Sequence, residues 1–312
     1  MSVDLTAAIF NDDAKAREWL EAARWPNGLV CAHCGSNNVH RLEGEAHRAG
    51  LLYCRACRKQ FSVTVGSVME RSHVPLPKWV LAFHLMASSK KGMSAHQMHR
   101  MLKVTYKTAW FMAHRIREAM TPTTEPFPPM GSDGGMVEAD ETYIGRRKGV
   151  DAASGGGAHK MQVLSLVDRS TGIARSFHIE RADLATIGRA LDACVAPEAH
   201  LMTDEWRAYK SFGYAFAAHS TVKHSANEYV NASNPKLHTN TVEGFFSVFK
   251  RGMRGVYQHC GEQHLGRYLA EFDFRYTHRT AMGVNDGERA DKALQGIAGK
   301  RLTYRRTHQL AA

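Results

Sequence analysis

Apolar positions between residues 78 and 120 recur at helical spacing and predict three consecutive helices. The first of these spans residues 78–89, where the apolar positions are Trp79, Val80, Phe83, Leu85 and Met86. Ser94 is placed to cap a short helix over residues 95–102, and Thr105 is placed to cap a longer helix over residues 106–120. A tight turn at residues 103–104 separates the two capped helices.

A short helix, a tight turn and a longer helix are the order of elements in a helix-turn-helix. That geometry brings the first residues of the second helix to the major groove of DNA. Tyr106, Lys107 and Thr108 are therefore candidate DNA-binding residues. The alternative is a plain three-helix bundle that only packs.

The period of the pattern changes after residues 121–135, a stretch with four prolines and three glycines that predicts a linker. We predict strands over 136–145, 161–167, 173–179 and 201–203, and helices over 182–195, 240–252 and 262–276. Three antiparallel strands, a helix, a strand and terminal helices form the order of a ribonuclease-H-like fold. We therefore predict an α+β multidomain protein.

The helix predicted from Asn240 is strongly patterned. Its apolar residues fall within an arc of roughly 100° at about 100° per residue, and they are Val242, Phe245, Phe246, Phe249 and Met253. An adjacent polar edge presents an amide, a carboxylate and an ammonium, those of Asn240, Glu243 and Lys250. Taken alone, this pattern also fits an amphipathic helix without any chemistry.

Two pairs of cysteines, each separated by two residues, predict a metal site near the start of the chain. Cys31 and Cys34 form the first pair and Cys54 and Cys57 the second, with 19 residues between the pairs. Four thiolates at this spacing can close one tetrahedral Zn²⁺ site, which gives a structural zinc ribbon. Disulfides or a chance repeat are the alternatives, but no secretory signal precedes the cysteines.

Charge changes the interpretation of this N-terminal part. The chain of 312 residues has a formal net charge of +11, and between residues 31 and 120 we count 14 Lys and Arg against 4 Asp and Glu. A basic segment held by a metal is typical of a nucleic-acid-binding protein. No apolar run approaches 18 residues and the N-terminus has no signal peptide, so we expect no membrane span and a cytoplasmic, nucleoid-associated protein.

Three acidic residues from distant segments are candidate catalytic residues. Asp140 lies within the first predicted strand, Asp204 ends the fourth, and Glu243 lies on a following helix. Hard carboxylate oxygens bind Mg²⁺ or Mn²⁺, and two such ions support in-line phosphoryl transfer. Lys250 would hold a substrate phosphate, and Arg251 and Arg254 would extend the contact along DNA.

Several motifs resemble the ISXO-type transposases of bacterial insertion sequences. They are the segments 140–145 (DETYIG), 203–204 (TD), 238–246 (HTNTVEGFF), 250–252 (KRG), 255–257 (GVY) and, further on, 268–272 and 275–279. The resemblance implies an N-terminal zinc ribbon and a ribonuclease-H-like, DDE-type domain that cuts and joins DNA with divalent metal. It also implies binding to terminal inverted repeats and at least a dimer on DNA.

The sequence leaves open the identity of the metal-site residues and two alternative functions. The third metal-site residue in that family is Asn in some subgroups and Glu in others. We favour Glu243 over Asn240 because a carboxylate brings charge to the ion. Glu141 is a weaker candidate, since adjacent residues of a strand point to opposite faces. A DNA-binding regulator that no longer cuts, or a nuclease that does not join strands, would carry the same motifs.

The domain organisation that follows has six parts. They are a helical lead (1–24), a zinc ribbon (25–72), a helix-turn-helix (73–120), a linker (121–135), a catalytic domain (136–285) and a basic C-terminal tail (286–312). We expect one structural Zn²⁺ and two catalytic Mg²⁺ or Mn²⁺ ions. The expected partners are double-stranded DNA, both element ends and target, and further copies of the chain.

Overall fold

The computed structural model describes residues 4–122, 128–151, 157, 159–206, 209, 211–222 and 234–303. It divides into two compact units. One consists of residues 1–89, 93–122 and 285–312, and the other of residues 90–92 and 123–284. No helix in these described ranges is long and apolar enough to cross a bilayer.

The first unit contains a small three-stranded antiparallel sheet. Its strands are β1 (Val39–Arg41), β2 (Leu52–Cys54) and β3 (Gln60–Phe61), paired in that order. Leu52 and Phe61 are buried together with two of the cysteines, and Trp25 packs edge-on against Phe61 with the ring centroids 6.1 Å apart. So small a core needs a further source of stability, which the predicted zinc would supply.

Four helices of the same unit precede residue 121. They are α1 (Asp13–Arg24), α2 (Leu76–Ser88), α3 (Ala95–Leu102) and α4 (Tyr106–Met120). The predicted bounds of α3 and α4 are confirmed. So are their caps: the Ser94 hydroxyl accepts the backbone N–H of Gln97, and the Thr105 hydroxyl accepts that of Thr108. Each contact satisfies one of the four N–H groups that a helix start leaves unpaired.

The second unit is built on a five-stranded sheet. Its strands are β4 (Met136–Ile144), β5 (Met161–Asp168), β6 (Ala174–Ile179), β7 (His200–Asp204) and β8 (Ala218–Val222). The spatial order is β6-β5-β4-β7-β8, in which β4, β5 and β6 are antiparallel and β7 and β8 run parallel to β4. Four of these strands lie where the sequence predicts them; β8 is an addition.

The register of β4 opens the sheet at one end. On one side, β4 pairs with β5 from Val137 through Ile144. On the other side, it pairs with β7 only as far as Glu138 opposite Met202. Beyond that point the two parallel strands have no further pairs, so the residues that follow on each strand face a gap. Asp140 and Asp204 are among them.

Helices cover both faces of this sheet. On one face α5 (Leu184–Cys194) supplies Ile187 and Leu191 to a core with Val137 and Leu201. On the other face lie α6 (Asn240–Gly252) and α7 (Leu265–Thr277), and Phe249 meets Phe272 edge-on with the centroids 5.2 Å apart. The apolar arc predicted for α6 is confirmed, because all five of its residues are buried.

A carboxylate from the sheet caps the start of α6. The side chain of Thr239, the N-cap residue, makes no capping bond. Instead the buried Glu138 of β4 accepts the backbone N–H of Val242 through Oε2 at 2.8 Å. Its other oxygen accepts a hydrogen bond from Arg169 Nε. The negative charge therefore lies at the positive end of the helix and is paired with a guanidinium.

Arg169 ties the same junction together from the other side. It donates to the carbonyl oxygens of Lys236, at 2.6 Å, and of His238. His238 Nδ1 in turn lies 3.4 Å from Glu138 Oε1. Strand β4, the turn after β5 and the segment that enters α6 are thus joined by one network around the buried Glu138.

The C-terminal segment differs from the basic tail that the sequence suggests. Residues 286–295 form helix α8 (Asp286–Gln295), which belongs to the first unit and packs on α2. Lys300, within the segment expected to form a basic tail, donates from Nζ to the carbonyl oxygens of Ala119, at 3.1 Å, and Thr121. A cation on the last carbonyls of α4 favours its C-terminus. Residues 304–312 lie outside the described residues.

The segment expected as a linker is also partly built into a unit. Met130 forms a parallel bridge to Val195, and Gly131 donates its backbone N–H to Asp168 Oδ2 at 3.0 Å. Gly131 has φ 74°, and a Cβ there would lie 2.6 Å from that of Ala199, so only glycine fits. Residues 123–127 of the expected linker lie outside the described part of the chain.

Replacing Glu138 with Ala should lower the free energy of unfolding by about 3–5 kcal/mol, because Arg169 would lose its buried partner. Glu138→Gln keeps an acceptor for the Val242 N–H and should cost less. Chemical denaturation measures both. The exposed Glu198→Ala is the control, expected to shift the value by no more than about 0.5 kcal/mol. Equal losses for Glu138→Ala and Glu198→Ala would refute the role of this network.

Candidate functional site

Four cysteine sulfurs converge in the small sheet of the first unit. The Sγ atoms of Cys31, Cys34, Cys54 and Cys57 all lie within 4.8 Å of one another. The Cys31–Cys57 distance is 3.6 Å and the Cys34–Cys54 distance is 3.7 Å. A tetrahedral zinc with bonds of about 2.3 Å separates its sulfurs by about 3.8 Å, so the cluster fits this metal.

The thiols of the cluster differ in their pKa values. A backbone hydrogen bond at Cys57 lowers the pKa of Cys54 to about 7, whereas burial raises the pKa of Cys57 to about 12. Gly35, directly after the first knuckle, has φ 76°, which lets the chain turn behind the sulfur of Cys34. Because the thiolate is the ligand, a low thiol pKa favours metal binding at neutral pH.

The gap between β4 and β7 leads into a cleft of about 650 Å³ in the second unit. Asp140 and Asp204 both line it, so the structure brings together two of the predicted catalytic carboxylates. Asp204 Oδ1 accepts the backbone N–H of Trp206 at 3.0 Å. The parallel strands place the two carboxyl groups at the same end of the sheet.

Negative charge in this cleft is only partly compensated. Burial, together with the neighbouring carboxylates of Asp204 and Glu243, raises the pKa of Asp140 from 3.8 to about 7. Lys250 acts in the opposite direction, although more weakly. A divalent cation would remove the repulsion among the carboxylates, so the donor set suits Mg²⁺ or Mn²⁺.

Glu243 and Asn240 occupy different surroundings on the first turn of α6. Glu243 is half-buried, and its Oε1 accepts the Thr239 hydroxyl at 2.9 Å. Asn240 is exposed, and its backbone N–H points to His238 Nδ1 at 3.3 Å. The hydroxyl of Thr239 thus orients Glu243 and leaves the capping of the helix to Glu138.

The three carboxylates do not lie in direct mutual contact. Among the described residues, the four cysteines form the group of three or more ligand atoms within 4.8 Å of one another, and Asp140, Asp204 and Glu243 do not form such a group. Glu243 affects the pKa of Asp140 but is not part of the cleft lining.

Glu141 lines the same cleft, although the sequence made it a weaker candidate for the metal site. Asp140 and Glu141 are adjacent in the strand and point to opposite faces of the sheet. Both still reach the cleft, because in the described part of the chain β4 has no partner strand beside them on the β7 side. The Oε1 atom of Glu141 accepts a hydrogen bond from the buried hydroxyl of Tyr209. Burial raises the pKa of Glu141 to about 8. Where a strand has no neighbouring strand, side chains from both of its faces can reach the same cleft. The alternation of apolar and polar residues in the sequence does not reveal where this happens.

A positive cluster adjoins the carboxylates. Lys250 lies half-buried with its Nζ 5.8 Å from the centroid of the Phe246 ring, and burial together with the positive charges of Arg254 and Lys160 lowers its pKa. Lys160 and Arg254 line a neighbouring pocket of about 240 Å³, and Arg254 is exposed. Lys160 was not among the predicted residues, because an isolated lysine in a hairpin carries no sequence signal. Arg251 is exposed, and its Nε donates to the Ser247 carbonyl at 3.1 Å.

The predicted DNA-binding residues lie at the start of α4 in the first unit. Tyr106 is 44% exposed and stacks on His96 with the ring centroids 4.4 Å apart. Lys107 is exposed, while the Thr108 hydroxyl lies 2.9 Å from that of Thr105. All three line a groove of about 940 Å³, which the exposed Arg71 and the buried Arg115 also line.

Two family models match this chain. One, described as an ISXO2-like transposase domain, matches residues 133–277, and the other, a transposase zinc-ribbon domain, matches residues 11–60. Together they take up more than half of the chain. An uncharacterized protein in transposable element ISH50 of Halobacterium salinarum is 29% identical over 285 residues, which are 85% of this chain and 91% of that protein.

Two solved structures share a more distant likeness. A chain of the simian T-cell lymphotropic virus intasome in complex with PP2A regulatory subunit B56 gamma is 16% identical, with a TM-score of 0.28, over 56% of this chain and 67% of that chain. A chain of the Mos1 strand transfer complex is 11% identical, with a TM-score of 0.20, over 64% and 76%. At such TM-scores the likeness carries no argument.

We expect purified protein to contain one zinc ion per chain. Cys54→Ser should lose the zinc and the fold of the ribbon, because the small core depends on the metal. Elemental analysis and the thermal unfolding curve measure the two effects. Cys194→Ala, a buried cysteine outside the cluster, should retain the zinc. Full zinc content in Cys54→Ser would contradict the assignment.

Without magnesium, the free energy of unfolding should fall as the pH rises from about 4 to about 7. The sign follows because the raised pKa of Asp140 makes the folded state bind its proton more tightly than the unfolded state does. The loss should be on the order of a few kcal/mol, and Asp140→Asn should reduce it. Denaturation at a series of pH values measures this, with the exposed Asp192→Asn as the control. A rise of stability over the same interval would contradict it.

Proposed function

We propose that this chain, which belongs to the zinc-ribbon transposases with an ISXO2-like transposase domain, cleaves DNA at the ends of an insertion sequence and joins the freed 3′ ends to target DNA. The observation that carries the proposal is the cleft at the β4–β7 gap. There, Asp140 and Asp204 carry negative charge that is only partly compensated, and the positive charges of Lys250 and Arg254, which suit a phosphodiester, lie nearby.

The topology of the second unit supports this proposal. Three antiparallel strands are followed by two strands parallel to the first, in the order 3-2-1-4-5, which is the arrangement that a ribonuclease-H-like fold would have. In an open sheet with parallel neighbours, ligands bind outside the carboxyl ends of the strands, where the order of the strands changes direction. The gap after Glu138 and Met202 has that position.

Asp140, Asp204 and Glu243 would hold Mg²⁺ or Mn²⁺, with Glu141 close by. When bound, a pair of such ions activates the attacking oxygen and stabilises the leaving 3′ oxygen in an in-line displacement. The orientation of Glu243 by Thr239, and its effect on the pKa of Asp140, favour Glu243 over Asn240 as the third ligand.

Basic residues would bind the substrate beside these carboxylates. Lys250, fixed over the ring of Phe246, would contact the phosphate that reacts. Arg251 on α6 and Arg254 in the turn that follows it extend the positive surface and would bind flanking phosphates, a contact that weakens with salt. The phosphodiester is then held between cations of the protein and the metal-binding carboxylates.

Recognition of the element ends would fall to the first unit. The ribbon and the α3–α4 pair suit a helix-turn-helix-type contact, in which Tyr106, Lys107 and Thr108 face the DNA. Their positions around one groove, which the exposed Arg71 also lines, support this assignment. Two ends must be joined in one reaction, so we propose a dimer or a larger oligomer on DNA.

A strand-transfer assay with a labelled element-end duplex and Mg²⁺ tests the proposal. We expect cleaved and joined products from the wild type, and a loss of at least about 100-fold in Asp204→Asn and Glu243→Gln, since each removes a charge from the metal site. Asn240→Ala, one turn away and exposed, should lose less.

The outcomes separate the alternatives. Cleavage without joining would favour a nuclease, and binding without either step would favour a regulator that has kept only DNA recognition. If Asn240→Ala abolished activity while Glu243→Gln did not, Asn240 would be the third ligand. Zinc content and circular dichroism of every variant serve as the folding control.

A further inference from the structure

Two exposed aromatic rings line the same cleft as the acidic residues. Trp206 is 36% exposed and Tyr143 is 42% exposed, although large rings are usually buried. The carboxylates do not depend for their positions on either ring being exposed. Arginines 147 and 181 line the cleft as well.

Both rings are held in place from behind. Trp206 packs edge-on against the buried Tyr209, with the ring centroids 5.9 Å apart at 82°. The ring of Tyr143 lies against Gly157, where an added Cβ would come within 2.5 Å of it. A fixed ring loses little freedom when a ligand stacks on it, so such rings are suited to binding.

Tyr143 also lies at a boundary of charge. Besides the acidic cleft, it lines the neighbouring pocket that contains Lys160 and Arg254. A ligand that spans the ring would therefore have a flat apolar part beside Tyr143 and an anionic part beside these cations. Nucleotides in a DNA strand have this combination of base and phosphate.

We propose that Trp206 and Tyr143 bind, by stacking, a single nucleobase that has left the DNA duplex next to the phosphodiester in the acidic cleft. This inference rests on the proposed function. The faces of paired bases are covered by their neighbours, so a ring inside a cleft can reach a base face only after that base is extruded. Aromatic stacking accepts any base, and arginines strengthen such sites.

The size of the cleft agrees with one nucleotide. A volume of about 650 Å³ lies in the usual range for pockets that enclose a small molecule. The backbone N–H of Trp206 already binds Asp204, so a base on this ring would lie two residues from a proposed metal ligand. Because that bond comes from the backbone, a change of the side chain can remove the ring and keep the bond.

The binding test uses three short duplexes of one sequence, measured by fluorescence anisotropy without divalent metal. The first is fully paired, the second has one bulged thymine, and the third has an abasic bulge at the same place. The ratio of the Kd values for the two bulged duplexes isolates the base, since contacts to the backbone cancel. We expect the wild type to prefer the thymine bulge by about 10-fold.

Trp206→Ala should abolish this preference, and Trp206→Phe should retain most of it. Tyr143→Ala provides a second, independent loss. Tyr214→Ala is the matched control, because Tyr214 is 87% exposed and is not part of the cleft lining. A preference that survives in both Trp206→Ala and Tyr143→Ala would overturn the inference. It would also be overturned if these substitutions changed the oligomeric state of the protein and left the base preference unchanged.

A second arm separates this inference from the proposed function. With Mg²⁺ and fully paired element ends, Trp206→Ala should join the ends at least about 10-fold more slowly than the wild type. On ends that are already unpaired at the cleavage site, its joining rate should return to that of the wild type. If the wild type is inactive but the thymine preference depends on Trp206, the function fails and the base site stands. If the wild type is active and Trp206→Ala matches it on both ends, the base site fails.

Discussion

One buried carboxylate, that of Glu138, joins the strand that carries Asp140 to the helix that carries Glu243. It accepts the Val242 N–H at the start of α6 and pairs with Arg169, which also binds the segment entering the helix. A buried charge is tolerated only when all its partners are in place, so this junction has one stable arrangement. The strand and the helix are therefore fixed to each other before any substrate is present.

Asp204 depends on a different constraint. Its strand pairs with β4 over only a few residues and then diverges, and this divergence opens the cleft that Asp140 and Asp204 both line. The same opening admits Glu141, Trp206 and Tyr143 to a common space. The fixed β4–α6 junction on one side and the open β4–β7 gap on the other suit the cations and the DNA strand proposed above.

The sequence was sufficient for local structure wherever side chains bond to the adjacent backbone or follow one face. Ser94 and Thr105 predicted the starts of their helices because an N-cap hydroxyl acts within three residues. The apolar face of α6 and the four cysteines were predicted for the same reason, since spacing alone determines which side chains meet.

Features that depend on distant contacts were not predictable in this way. Strand β8 has a mixed polar sequence and is held by parallel pairing with β7, which leaves no alternation to detect. Glu138 resembles any acidic residue of a strand until its partner 104 residues later is known. The role of Lys300 at the end of α4 is likewise a contact across 179 to 181 residues.

The first unit is assembled from both halves of the chain, with residues 285–303 completing what residues 4–122 begin. A ribosome therefore releases the whole five-stranded sheet before α8 can reach α2. During synthesis, residues 4–122 must wait in an incomplete form, with the surface of α2 that α8 covers still exposed. The order of translation thus delays maturation of this unit until the remainder of the polypeptide exists.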